Sequence, residues 1–227
     1  MTTDALSSSS PATASVTKTA ANRAGLLEQA VVLPDVAWDQ YVRLRDNPAN
    51  RGLRMTYREG VLEIMTLGAL HELISSLIDH FILEWRVARE IPVRPSGSMT
   101  LRREGLGRGL EGDQSYYIQN EPQVRGLDEI DLDKGPPPDL AVEVEHTAAA
   151  VRKLPIYAAL GVPEVWRWRG ETLTVYRLEN GEYVERPESG ALPGFPLDQL
   201  RQALTRSGAV DETTLVREFR LWLGQSK

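Results

Sequence analysis

Four residues stand out for their types and their spacing: Asp113, Glu143, Glu145 and Lys153. Asp113 opens one strand pattern, Glu143 lies inside a second, Glu145 follows on the same face, and Lys153 comes soon after. A strand rises about 3.3 Å per residue, so Glu143 and Glu145 stand roughly 7 Å apart and can converge on one region. Asp139 shares their face but lies roughly 13 Å from Glu143, which makes it the weaker ligand candidate. Paired carboxylates beside an ammonium group suit a hard divalent cation. Magnesium takes carboxylate oxygens at about 2.0 to 2.1 Å and keeps waters, one of which can attack a phosphorus atom while Lys153 stabilises charge or orients that water. The chemistry is phosphodiester hydrolysis. The competing reading is a solvated strand face with an incidental lysine, since Asp and Glu are common on exposed faces.

The elements that must position these residues are readable from the surrounding pattern. In PPPDLAVEVEHTAAAVRKLPIYAALGVPEV the prolines at 136–138 keep the backbone extended, and Asp139, Ala141, Glu143 and Glu145 alternate with Leu140, Val142 and Val144. This predicts a strand with one acidic face. Thr147 is placed to cap a helix through Val151, Leu154, Tyr157, Ala158 and Val162 that ends near Gly161 and carries Lys153 in its first two turns. Two further strands are expected over Ile91–Leu101 and Gln114–Ile118, joined by the loop RREGLGRGLEGD. Its Arg102, Arg103 and Arg108 are either phosphate contacts or a solvated basic turn. The segment VPEVWRWRGETLTVYRLENGEYVER alternates and turns at Arg169-Gly170 and Asn180-Gly181, predicting an antiparallel meander. Trp166 and Trp168 fall on its packing face, Arg167 and Arg169 on the other.

Upstream, LPDVAWDQYVRLRDNP reads as a helix capped by Asp35, with Trp38, Tyr41, Val42 and Leu44 apolar, and LRMTYREGVLEIM as a hairpin around Glu59 and Gly60. The clearest helical stripe runs from Leu67 to Trp85. His71 lies on it and is read as a hydrogen-bonded core histidine. The segment HELIS lacks the second histidine of a zinc protease, having Ser75 there. Leu197–Leu204 and Thr213–Leu223 read as closing helices.

Composition narrows the function classes. At 227 residues and 41% hydrophobic the chain supports one globular domain over 31–227, preceded by a Ser/Thr/Ala-rich stretch, 1–30, expected to be a disordered tail. Zero cysteines exclude disulfides and thiolate metal sites, and three histidines are too few for a histidine cage. No apolar run approaches a membrane span and the N-terminus lacks a signal-peptide core, so a cytoplasmic location is expected. A net charge of −6 argues against coating nucleic acid broadly, but leaves room for a local basic groove.

At YREGVLEIM, HELISSLI, EGDQSYYI, PPPDLAVEVE and KLPIYAALGVPEVWRW the chain resembles the Uma-type family of restriction endonucleases, in the PD-(D/E)XK nuclease-like superfamily. The resemblance implies an α/β fold: a restriction-endonuclease-like core with a mixed central β-sheet flanked by helices, here with an added antiparallel meander. It implies that Asp113 stands for the acidic residue of the PD strand and Glu143 for the (D/E) position, both binding the metal. Lys153 is a lysine moved to the helix, and Glu145 occupies the in-strand lysine position. Gly112 departs from the family's proline before Asp113. The implied activity is a magnesium- or manganese-dependent endonuclease acting on DNA, with a homodimer left open. The alternative is a catalytically weak nucleic-acid-binding or regulatory module of the same fold.

Overall fold

Two six-stranded sheets share this chain. The structure, a computed structural model, describes residues 15–17, 29–146 and 149–225. The first sheet is built from β1 (Ser15–Thr17), β2 (Gln29–Leu33), β3 (Arg54–Arg58), β4 (Val61–Thr66), β6 (Thr100–Arg103) and β7 (Arg108–Glu111). The second takes β5 (Arg94–Pro95), β8 (Gln114–Tyr117), β9 (Leu140–Glu145), β10 (Glu164–Arg169), β11 (Thr172–Glu179) and β12 (Glu182–Arg186). The helices are α1 (Trp38–Asp46), α2 (Ala69–Ala88), α3 (Glu121–Val124), α4 (Leu154–Leu160), α5 (Leu197–Arg206) and α6 (Glu212–Gln225).

The first sheet is antiparallel throughout, in the order β1-β2-β4-β3-β7-β6. Its β3–β4 hairpin turns at Glu59 (φ 51°) and Gly60 (φ 88°), the positive pair that a tight two-residue hairpin requires. The second sheet, β12-β11-β10-β9-β8-β5, is mixed, because β9 and β10 run parallel with α4 as their crossover. The fold class is therefore the expected one, a mixed sheet flanked by helices and extended by the β10–β12 meander. Its division into two sheets is the addition.

Burial explains why β9 sits where it does. One side of the second sheet packs Leu140, Val142, Val144, Trp166 and Trp168 against α2, α5 and α6. The other packs Ala141 and Val165 against Ile156, Tyr157 and Leu160 of α4, together with Leu101 and Leu110 of the first sheet. A parallel pair covered on both sides is buried on both faces. The competing reading, a solvated strand face, fails at Glu143, which is 1% exposed. A third cluster seats Tyr41 of α1 on Met55, Tyr57 and Leu62.

Several boundaries differ from expectation, each for a local reason. Asp35 does not cap α1; it has φ 55°, and the helix starts after Ala37, whose N–H donates to the Gln40 side chain at 2.8 Å. The strand expected over 91–101 breaks at Pro95 and Gly97 (φ 55°) into β5 and β6, which join different sheets. The expected arginine loop folds back as β7 against β6. Helix α4 begins only at Leu154, with Lys153 at its N-cap; Thr147 lies outside the described residues. The expected tail is crossed by pairing of Ser15–Thr17 with β2, and the rest of 1–28 lies outside the described residues. No described helix is long and apolar enough to cross a membrane.

Candidate active site

Between Glu111, which ends β7, and Gln114, which begins β8, the chain passes from one sheet to the other, and Asp113 sits on this passage. Its backbone N–H donates to the Val142 carbonyl at 3.3 Å, and its Oδ2 accepts the Val144 N–H at 2.7 Å. Asp113 is thereby fastened to β9 on both sides of Glu143. Its Oδ1 faces Nε2 of His71, from α2, at 2.9 Å, with each of these side chains 1% exposed.

Glu143 projects from the middle of β9 toward α4. Lys153 Nζ donates to its Oε2 at 2.5 Å, and the Tyr157 hydroxyl donates to its Oε1. Four positions separate Lys153 from Tyr157, so one side of the helix start presents both groups. The segment before Lys153 is itself held: Glu63 of β4 accepts the N–H groups of Ala150 and Val151, each at 3.0 Å. A carboxylate of the first sheet thus sets where the lysine enters the second.

Gly112 is required by this packing. A Cβ built there would collide with the Tyr157 hydroxyl and come within 3.5 Å of Glu143 Oε1. The departure from proline at this position makes room for a tyrosine on the neighbouring carboxylate.

The electrostatics follow from burial and proximity. Burial pushes the Glu143 carboxyl up to about 7; Lys153 opposes the rise and the charge of Asp113 adds to it. Burial acts on Asp113 in the same sense, but Lys153, His71 and the Val144 N–H together outweigh it and hold this carboxyl below its usual range. Burial alone would lower the Lys153 ammonium; Glu143 and Asp113 reverse that and keep it charged. Two carboxylates of unlike proton affinity thus flank one fixed cation.

The other expected residues fall into place around this cluster or away from it. Glu145 lies outside it, 3.8 Å from Arg169, at a cleft of about 530 Å³ that Arg152, Lys153 and Arg167 also line. Asp139 is not brought to the cluster. Its oxygens accept the N–H groups of Ile118 (2.6 Å) and Asn120 (2.9 Å) and the Asn120 side chain (2.8 Å), so it pins the turn after β8. The loop arginines are engaged within the protein: Arg102 with Asp46, Arg103 with the Leu132 carbonyl, and Arg108 with Glu59.

Asp113 and Glu143 offer only hard oxygen donors, and magnesium needs no more than one or two protein carboxylates, the rest being waters and substrate phosphates. Each carboxylate oxygen has two lone pairs, so the present hydrogen bonds leave acceptor capacity. The donor set fits such an ion. No group of three or more His, Asp or Glu side chains among the described residues is arranged to hold one without that help.

His71, read from the sequence as a hydrogen-bonded core histidine, is buried, and the group it faces is Asp113 of the cluster. Tyr157 and Glu63 escaped as site residues; Tyr157 carried a weak signal, its helical spacing from Lys153. Glu63 carried none, because its partners lie 87 and 88 positions away.

Among solved structures, the chain is similar to a crystal structure described as "a putative nuclease belonging to DUF820" from Anabaena variabilis ATCC 29413. Identity is 15% and the TM-score 0.47, over 68% of this chain and 87% of that one. No curated protein sequence matches. Residues 38–205 match the family Uma2, described as "Putative restriction endonuclease". A match over that share of the sequence establishes that the chain belongs to the Uma2 family of restriction-endonuclease-type proteins.

Proposed function

We propose that this protein is a divalent-metal-dependent endonuclease that hydrolyses DNA phosphodiester bonds, with Asp113 and Glu143 as the ion's ligands and Lys153 as the cation beside them. The observation that supports it most is the Lys153–Glu143 contact of 2.5 Å inside a buried cluster that also holds Asp113. Burying three ionisable groups costs several kcal/mol per ion unless geometry compensates, and apolar residues would fill the same space at no such cost. A magnesium or manganese ion would supply Lewis-acid charge at a phosphoryl oxygen.

The chain's own residues do the rest. Asp113, kept ionised by the Val144 N–H, His71 and Lys153, holds a fixed negative charge. Tyr157 fixes Oε1 of Glu143 so that its carboxylate plane cannot swing. Lys153 Nζ, held 2.5 Å from Glu143, would stabilise negative charge developing on a phosphoryl group bound against the carboxylates, and a preorganised charge in a water-poor site is worth far more than in water.

The test is incubation of the full chain with supercoiled and linear DNA plus magnesium or manganese, beside Glu143→Ala and Asp113→Ala. Wild type cuts only with metal, and each variant loses at least roughly a hundredfold in rate. A variant that cuts at the wild-type rate, or cutting that persists in chelator, refutes the assignment. One observation favours a second reading. Both Glu143 oxygens already have partners, which suits a nucleic-acid-binding module with little catalysis. DNA binding without cleavage selects that reading.

A further inference from the structure

We propose that Arg167 and Arg169 form a binding site for backbone phosphates of the DNA strand that runs past the carboxylate cluster, a proposal that rests on the nuclease reading of that cluster. In the parallel β9–β10 register Arg167 pairs with Glu143 and Arg169 with Glu145. Directly paired residues point to the same face, and neighbouring strands lie about 4.8 Å apart. A row of two arginines therefore runs beside the row of two glutamates. Both rows face the α4 side, where the cleft of about 530 Å³ opens.

The chemistry of this row suits phosphate. The Arg167 guanidinium lies 4.8 Å over the Tyr176 ring and donates to the Tyr176 hydroxyl. One Nη is held by the Tyr176 hydroxyl and the Nε is buried, so the other Nη is the donor left for a phosphate oxygen at the cleft that Arg167 lines. Arg169 has a half-exposed side chain, and its nearest carboxylate, Glu145, is 3.8 Å away, too long for a hydrogen bond. Together with Arg152 and Lys153 these arginines make the cleft basic against the single carboxylate of Glu145, in a chain of net charge −6. Such a local reversal of sign concentrates polyanions at one place. By contrast, Arg102, Arg103 and Arg108 spend their donors inside the protein.

Equilibrium binding of a labelled DNA duplex in chelator tests this without requiring cleavage. Wild type is compared with Arg167→Gln/Arg169→Gln, Arg169→Gln alone and Arg102→Gln at about 50 and about 200 mM salt. Each lost phosphate contact lowers the salt slope by about 0.9, so the ratio of affinities at the two salts shrinks about threefold in Arg169→Gln and about tenfold in the double variant. Arg102→Gln, whose guanidinium is held by Asp46, keeps the wild-type slope. A wild type that does not bind, or arginine variants that bind with its affinity and slope, overturns the proposal. If the double variant fails to fold, Arg169→Gln, half exposed at the strand end, decides alone. Binding that depends on the arginines in a protein that never cuts leaves this site standing and removes the nuclease reading; cutting with no dependence on the arginines does the reverse.

Discussion

Replacing Lys153 by methionine keeps most of the stem's bulk and discards a charge held 2.5 Å from Glu143. An exposed lysine would lose almost nothing. Here both side chains are nearly inaccessible, 7% and 2% exposed, so the substitution leaves carboxylate charge buried without its cation. Removing one member of a buried pair costs about 3–5 kcal/mol. In a domain of this size each kcal/mol moves Tm by about 2–4 °C, so Lys153→Met melts roughly 10 °C below wild type at neutral pH. The sign of the pH dependence follows from Glu143. Its carboxyl rises from 4.5 to about 7 on folding, so its contribution is fully present below about 4.5 and lost as pH rises through about 7. Without the lysine that carboxyl moves further up, so the deficit of Lys153→Met is small near pH 5 and opens as pH rises. Adding Glu143→Gln removes the stranded charge and returns most of the lost stability, but no activity. Single-turnover cleavage at saturating magnesium falls roughly a hundredfold or more in Lys153→Met, and Lys153→Arg recovers only part, because a planar fork cannot occupy a compact ammonium's position. Thermal melts from pH 5 to 8 beside those rates decide the matter. A Lys153→Met protein that melts within a couple of degrees of wild type and cuts at its rate refutes both the buried pair and its role.

Two further substitutions probe how the cluster is held. Gly112→Ala drives a methyl group into the Tyr157 hydroxyl, an overpacking that costs about 1–3 kcal/mol, and Gly112→Ala/Tyr157→Phe regains part of it because the obstructing atom is gone; chemical denaturation of the single and double variants measures this, and an unaffected Gly112→Ala contradicts it. His71→Gln removes the imidazole facing Asp113 Oδ1, so the magnesium concentration for half-maximal cleavage rises about 10- to 100-fold while the rate at saturation changes less. An unchanged magnesium requirement refutes a positioning role for His71.

Local periodicity made most of the fold legible. The stripe from Leu67 to Trp85 became α2, Glu59-Gly60 became a hairpin turn, and the alternation of EVWRWR placed two tryptophans in the core and two arginines on the opposite face. What escaped depended on contacts distant in sequence. Alternation in LAVEVE said strand, but not that both faces would be covered, because covering Glu143 takes α4 on one side and a parallel neighbour beside it. The loop before Asp113 hid β7, whose pairing partners, β3 and β6, lie on either side of it in a sheet that the periodicity did not reveal. Spacing brought Asp113, Glu143 and Lys153 to notice and the structure gathers them. It also made Asp139 the weaker candidate, but did not show what Asp139 does instead, because the Ile118 and Asn120 amides that it holds belong to another strand's end.

The division into two sheets bears directly on the site. Asp113 lies on the passage between them, Glu143 in the second, and Glu63 in the first reaches the segment that delivers Lys153. A sliding of one sheet over the other would therefore move the lysine relative to the glutamate. Charges in a low-dielectric site lose their value quickly with distance, so such an arrangement works only if the sheets are locked together. The lock is polar as well as apolar: Leu101 and Leu110 of the first sheet pack into the cluster around α4, while Glu63 holds the Ala150 and Val151 amides from the same side. A carboxylate that binds two backbone N–H groups is strongly directional, whereas apolar packing tolerates small slips. Glu63 is thus as much a determinant of the Lys153 position as the helix that bears the lysine.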